Sequence, residues 1–356
     1  MRRSRLFNIL IVFVLGFGSL LAPAAAYAAP PHTTGPHTYT VLVGAERVSS
    51  GIDVMAFFPD TLRIHVGDTV VWKQNSHEIH TVTFLAGTPS PELLVPAPIG
   101  GLMINPQAAF PTAPANGQYD GSTYANSGVM STDPGQPTEF SLTFTHTGTY
   151  SYICIVHGAM MSATIEVVDS SVPVQSPALV SKLAKHDIRS RIVEGIHLQR
   201  VAKSQVPAVQ KNPDGSKTYT VLIGYSRGQI DLMGFFPGQL IVRPGDTVNF
   251  TLSNTNEAPH TVTFLNGGPD IPFITPVPDP SNPSGPPLLL INPDVLAPIN
   301  PGQPLTTSGV FSSGLLAPGG PDTYSLTIGN TSGTIPYECL LHDTSGMTGV
   351  IKVVSK

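Results

Sequence analysis

Apolar and polar residues alternate with a period of two through much of the chain. Leu62-Arg63-Ile64-His65-Val66 and Thr69-Val70-Val71-Trp72 do so on either side of Gly67-Asp68. That is the pattern of a hairpin whose sheet is buried on one face. Phe140-Ser141-Leu142-Thr143-Phe144, Thr149–Cys154 and Thr164–Val168 continue it. Only one stretch reads as a helix of ordinary length: Val180, Ala184, Ile188, Ile192 and Ile196 fall four apart. Ser176 precedes this helix as a cap and Pro177 suits its first turn. Gly195 is expected to weaken its second half.

The pattern occurs twice. Thr38-Tyr39-Thr40-Val41-Leu42-Val43-Gly44 returns as Thr218-Tyr219-Thr220-Val221-Leu222-Ile223-Gly224, and His80-Thr81-Val82-Thr83-Phe84 returns unchanged as His260–Phe264. Ile52-Asp53-Val54-Met55 matches Ile230-Asp231-Leu232-Met233, and Ile104-Asn105-Pro106 matches Ile291-Asn292-Pro293. Each unit is too long for a solenoid repeat, so the chain contains a duplicated domain. The predicted fold is all-β, with two β-sandwich domains at 38–170 and 216–356 joined by a helical linker at 176–205.

Composition narrows the function. The 356 residues carry net charge −5, which provides no electrostatic footprint for nucleic acid. Arg2, Arg3 and Arg5 precede an apolar run from Leu6 to Leu21 and then Ala26-Tyr27-Ala28. A basic start, an apolar stretch and an A-x-A site describe a signal peptide over 1–28, cleaved after Ala28. The mature protein is then secreted, periplasmic or on the cell surface. An uncleaved anchor is the competing reading, since a span needs about 20 apolar residues. The helical linker carries Lys182, Lys185, Arg189, Arg191, Arg200 and Lys203. It reads as a connector packed on the domains, or as a basic surface for an anionic membrane or an acidic redox partner.

The candidate chemistry lies at equivalent places in both copies. Copy one has Cys154, His157, Met160 and Met161 in one loop, and copy two has Cys339, His342 and Met347. Each also has a histidine far upstream, His80 or His260. Two imidazoles, a thiolate and a thioether form the donor set of a blue-copper electron-transfer site. Met161 and Met347 both stand four residues before an isoleucine of the closing strand, Ile165 or Ile351, which favours Met161 over Met160. A disulfide between Cys154 and Cys339 would leave the histidines unexplained. Zinc suits a thioether poorly.

The combination of Cys-x2-His with a following Met and a distant His-Thr-Val-Thr-Phe resembles the cupredoxins of the plastocyanin and amicyanin kind, here in tandem. The resemblance implies that each sandwich is a Greek key with one copper near one end, cycling between Cu(I) and Cu(II) as a type 1 centre. Its ligands would be His80, Cys154, His157 and Met161 in copy one, and His260, Cys339, His342 and Met347 in copy two. It also implies that the loop histidines, His157 and His342, are the exposed ports for electrons. Electron transfer between redox partner proteins is the leading expectation, and copper storage or delivery an alternative. A multicopper oxidase or nitrite reductase is disfavoured, because no histidine flanks either cysteine and no His-x-His occurs. The long Pro- and Gly-rich segments between each upstream histidine and its cysteine are candidates to cover the metal or dock a partner.

Overall fold

A computed structural model describes residues 35–132 and 136–355. The signal-peptide reading of 1–28 lies outside the described residues. In copy one the strands are β1 (Thr38–Arg47), β2 (Ile52–Phe58), β3 (Thr61–His65), β4 (Thr69–Gln74), β5 (Thr83–Phe84), β6 (Leu94–Pro96), β7 (Leu102–Ile104), β8 (Gln118–Tyr119), β9 (Ala125–Asn126), β10 (Glu139–Phe144), β11 (Gly148–Cys154) and β12 (Gly158–Val168). The short helix α1 (Pro106–Ala109) follows β7, and the long helix α2 (Pro177–Ser204) follows β12.

Copy two repeats the order. It holds β13 (Gln210–Lys211), β14 (Lys217–Arg227), β15 (Ile230–Phe236), β16 (Gln239–Val242), β17 (Thr247–Leu252), β18 (Thr263–Phe264), β19 (Ile274–Val277), β20 (Leu288–Ile291), helix α3 (Pro293–Leu296), β21 (Phe311–Ser312), β22 (Thr323–Thr327), β23 (Gly333–Glu338) and β24 (Thr348–Val353). The architecture is the expected one: two β-sandwich domains joined by a helical linker.

Each sandwich packs one sheet of its own, β3-β12-β11-β5-β9 or β16-β24-β23-β18-β21, against half of a shared sheet. The apolar positions of the alternating strands meet between those layers. Trp72, Phe84, Tyr152 and Phe57 fill the first core, and Phe250, Phe264, Tyr337 and Phe235 the second.

The shared sheet runs β22-β17-β14-β15-β2-β1-β4-β10-β8, with β13 added at β14. Its seam is the antiparallel pairing of β2 with β15, in register Ile230↔Val54, Asp231↔Asp53 and Leu232↔Ile52. Edge strands that would otherwise be exposed thus close on each other. The long inserts do the same: β6-β7 and β20-β19 form a second joint sheet through Leu290↔Met103. This departs from the expectation that the Pro- and Gly-rich segments are loops over the metal or for a partner. Part of each folds into a strand pair that ties one copy to the other.

Helix α2 packs its predicted stripe across this seam. Val180 and Ala184 are buried, Ile188, Ile192 and Ile196 are partly buried, and Leu198 and Ala202 extend the buried face. Gly195 does not weaken the helix, which runs unbroken to Ser204. A Cβ at Gly195 would lie 2.5 Å from Ile52 Cγ2, so the glycine is what lets the helix approach β2. No helix among the described residues is long and apolar enough to cross a membrane.

Candidate metal centres

The upstream histidines are placed by backbone geometry that recurs in each copy. His80 and His260 form isolated bridges with Met130 and Leu316, through backbone bonds of 2.8–3.1 Å. Their rings lie against Gly44 and Gly224, which have positive φ (70° and 61°) at irregularities in the β1–β2 and β14–β15 pairings. A Cβ at either glycine would come within 2.6 Å of the histidine Nε2. Glycine is therefore required twice over, for the left-handed backbone and for the space. The sequence marked these glycines only as repeated residues.

Each upstream ring is oriented by a partner on its far nitrogen. His80 Nε2 contacts Ser76 Oγ at 3.1 Å, and His260 Nε2 contacts Asn256 Oδ1 at 3.0 Å. An amide oxygen only accepts, so His260 carries its proton on Nε2 and leaves Nδ1 free as a lone pair.

The cysteines sit at the C-terminal ends of their strands, Cys154 closing β11 and Cys339 following β23. Backbone N–H groups aim at the sulfur: Thr81 donates to Cys154 Sγ and Thr261 to Cys339 Sγ, each at 3.3 Å. The threonine hydroxyls accept from the next residue of the loop, Ile155 N–H at 2.8 Å and Leu340 N–H at 2.9 Å. The shared His-Thr-Val-Thr strand is thus clamped directly to the cysteine loop.

These contacts assemble two matching donor groups, His80–Cys154–His157 and His260–Cys339–His342. In copy one, Cys154 Sγ stands 3.9 Å from His80 Nδ1 and 3.4 Å from His157 Nδ1. In copy two the corresponding distances are 3.8 Å and 3.4 Å, and the two Nδ1 atoms are 3.1 Å apart. Sulfur and nitrogen ligands of one ion, at about 2.3 and 2.0 Å from it in a trigonal plane, lie about 3.7 Å apart. The residues fit a metal. Met161 and Met347 are fully buried in the core that contains both cysteines, whereas Met160 is only partly buried. The cysteines are free, so the disulfide reading falls.

Burial sets the protonation of these groups. It holds His80 and His260 well below the ordinary imidazole range, His157 down to about 4, and His342 to about 3 with a further push from His157. All four rings are neutral near pH 7 and offer a lone pair. Burial likewise raises the Cys154 thiol and pushes Cys339 up to about 11. A metal that takes the thiolate must release that proton.

One expectation is corrected. The loop histidines are not exposed ports: the side chains of His157 and His342 are only 12% and 5% accessible. They face each other's domain, and Glu78 stands between them. Its Oε1 is 3.9 Å from His157 Nε2, and its Oε2 is 3.5 Å from His342 Nε2. Burial pushes the Glu78 carboxyl up to about 8, with the Ile79 N–H pulling the other way and Asp231 and Glu46 adding to the rise. Sequence reasoning missed Glu78 because its importance arises only where the copies meet. Copy two has Ala258 at the equivalent distance before its histidine. His77 is exposed and bonded to Glu46.

Comparison with known proteins finds a family match for copy one. Residues 45–168 match the copper binding proteins of the plastocyanin/azurin family. Among solved structures, an oxidised amicyanin mutant is 20% identical, covering 37% of this chain and 82% of that one with a TM-score of 0.22. A mutant plastocyanin of fern is 18% identical, covering 36% of this chain and 99% of that one with a TM-score of 0.21. No curated protein matches the sequence. The chain carries a cupredoxin-family copper-binding domain over residues 45–168.

Proposed function

We propose that the chain is an exported electron-transfer protein with two type 1 copper centres, one per copy. The observation that carries this reading is the pair of His–Cys–His groups, each with a buried methionine in the same core. His80, Cys154 and His157 would form one ligand plane with Met161 as the axial donor. His260, Cys339, His342 and Met347 would do the same in copy two. Bound there, copper would supply a one-electron couple, with soft sulfur favouring Cu(I) and imidazole accepting Cu(II).

The protein's part is to keep the donors still between the two states. The Thr81 and Thr261 amides hold the sulfurs, and Ser76 and Asn256 hold the upstream rings. A cage that barely moves between oxidation states is what fast exchange requires, and its burial keeps water away. A fully assembled cage favours retention over handover, which supports electron transfer over delivery. We also read the chain as a carrier without catalytic turnover. The motifs of a further copper site, a histidine beside the cysteine or a His-x-His pair, do not occur in the sequence.

The test is the visible spectrum and copper count of the purified chain. Two coppers per chain and an intense thiolate-to-copper absorption, bleached on reduction, are expected. Changing Cys154 and Cys339 together to Ser should abolish the colour. Colour that survives in that variant contradicts the site assignment.

A further inference from the structure

Two of the proposed ligands, one from each copy, point their remaining nitrogens at a single carboxylate. We propose that Glu78 is a positioning residue shared by the two centres, one carboxylate orienting both His157 and His342 and thereby coupling the two ligand sets. This rests on the copper reading above for the coupling, and on the geometry alone for the positioning.

The geometry divides the work between the two oxygens. Oε1 lies nearer the copy-one ring and Oε2 nearer the copy-two ring. Both rings present Nε2 to the carboxylate and Nδ1 to their cysteine sulfur at 3.4 Å. A ring that carries its proton on Nε2 can donate toward the Glu78 oxygen it faces, so this residue favours that tautomer in each ring. Nδ1 is then left free in both, on the side where the sulfur waits. A carboxylate that fixes a ligating histidine through its far nitrogen is a common outer partner of a metal ligand. Here one residue serves two rings, because the equivalent position in copy two is Ala258.

Glu78 is itself held in place. Gln74 Nε2 donates to the backbone carbonyls of Ser76 and Glu78 and shapes the turn, and the Ile79 N–H donates to Oε1 at 3.2 Å. The loops that carry the two rings are also tied across the seam. Gln229 of copy two donates to the Met160 carbonyl at 2.9 Å. In the other direction the Val48 carbonyl of copy one lies so near Gly346 that a Cβ there would come within 2.7 Å of it. A displacement of either ring therefore reaches the other through Glu78 and through these contacts. Ordering one ligand set lowers the cost of ordering its partner, which is positive coupling between sites.

Glu78→Gln tests this in the full chain. Glutamine has the same shape, but its amide offers one accepting oxygen and one donating nitrogen. It can satisfy one Nε2–H and must oppose the other. With histidine labelled in nitrogen-15, NMR of the copper-free protein reads the tautomer of each ring, and a copper titration reads the two affinities. The wild type is expected to show Nε2–H at both His157 and His342 and to load both equivalents together. The variant, with its far-ultraviolet circular dichroism unchanged, should show at least one ring moved to Nδ1–H. Its second copper should bind about tenfold more weakly relative to the first. Unchanged tautomers with unchanged relative affinities would overturn the proposal. A chain that takes up no copper yet shows the tautomer change would overturn the copper reading and leave the positioning role of Glu78 supported.

Discussion

Asp53 and Asp231 stand opposite each other in the seam of the shared sheet, and both are buried. No oxygen of either makes a hydrogen bond of good geometry. Like charges in directly opposed positions repel, and burial penalises each ionised form. Burial holds Asp53 well above the carboxylate range, with Glu78, Glu46 and Asp231 adding to the rise. It pushes Asp231 up to about 7, the Ser226 hydroxyl offsetting part of this and Glu257 adding to it. A carboxyl whose folded-state value is raised stabilises the fold while protonated and loses that contribution as pH climbs. For Asp231 the contribution is complete below about 4 and is gone above about 7, a change of about 4 kcal/mol. Urea denaturation of copper-free protein should therefore show stability falling as pH rises from about 4 to about 7. Asp231→Asn should flatten the fall, and a variant that parallels the wild type would refute the assignment. The sequence showed these aspartates only as repeated residues. Their meeting depends on which strands pair between the copies, and strand alternation carries no information on that.

Elements were more legible than their contacts. Period-two alternation located the strands around Gly67-Asp68 and the two that flank Cys154, because half-buried sheets impose that period on the chain. Ser176 caps α2 as read, its hydroxyl accepting from the Leu179 N–H at 3.4 Å. The same reading misjudged Gly195, since propensity is a local quantity and the reason for this glycine is the Ile52 side chain on β2. Gly195→Ala makes the distinction measurable. In an isolated helix the change would stabilise by about 1 kcal/mol. In this protein the methyl group would press on a buried, β-branched side chain, and overpacking of that kind costs about 1–3 kcal/mol. The urea midpoint should therefore fall, and a rise would show that α2 does not rest on β2 at this point. The inserts were unreadable for a further reason. The β6–β7 and β19–β20 pairs gain their stability from each other, so each taken alone looks like a proline-rich loop.

At the scale of the whole molecule, the duplication places two matching His–Cys–His groups face to face. The donor residues were legible because they repeat in order, with a spacing that a strand-loop-strand unit dictates. Their outlook was not legible. The family resemblance implied a loop histidine exposed at the surface of each copy. The β2–β15 seam, the joint insert sheet and α2 instead bring His157 and His342 into the interior, on either side of Glu78. If the electron-transfer function proposed above holds, electrons from an outside partner would enter by a route other than these buried rings.

Anomalous X-ray diffraction at the copper edge, from crystals of the copper-loaded chain, tests this arrangement most directly. The account predicts two anomalous peaks, one bounded by His80, Cys154 and His157 and the other by His260, Cys339 and His342, with the Glu78 carboxylate between the two loop histidines. A single peak, a peak away from these residues, or loop histidines turned outward to solvent would contradict it.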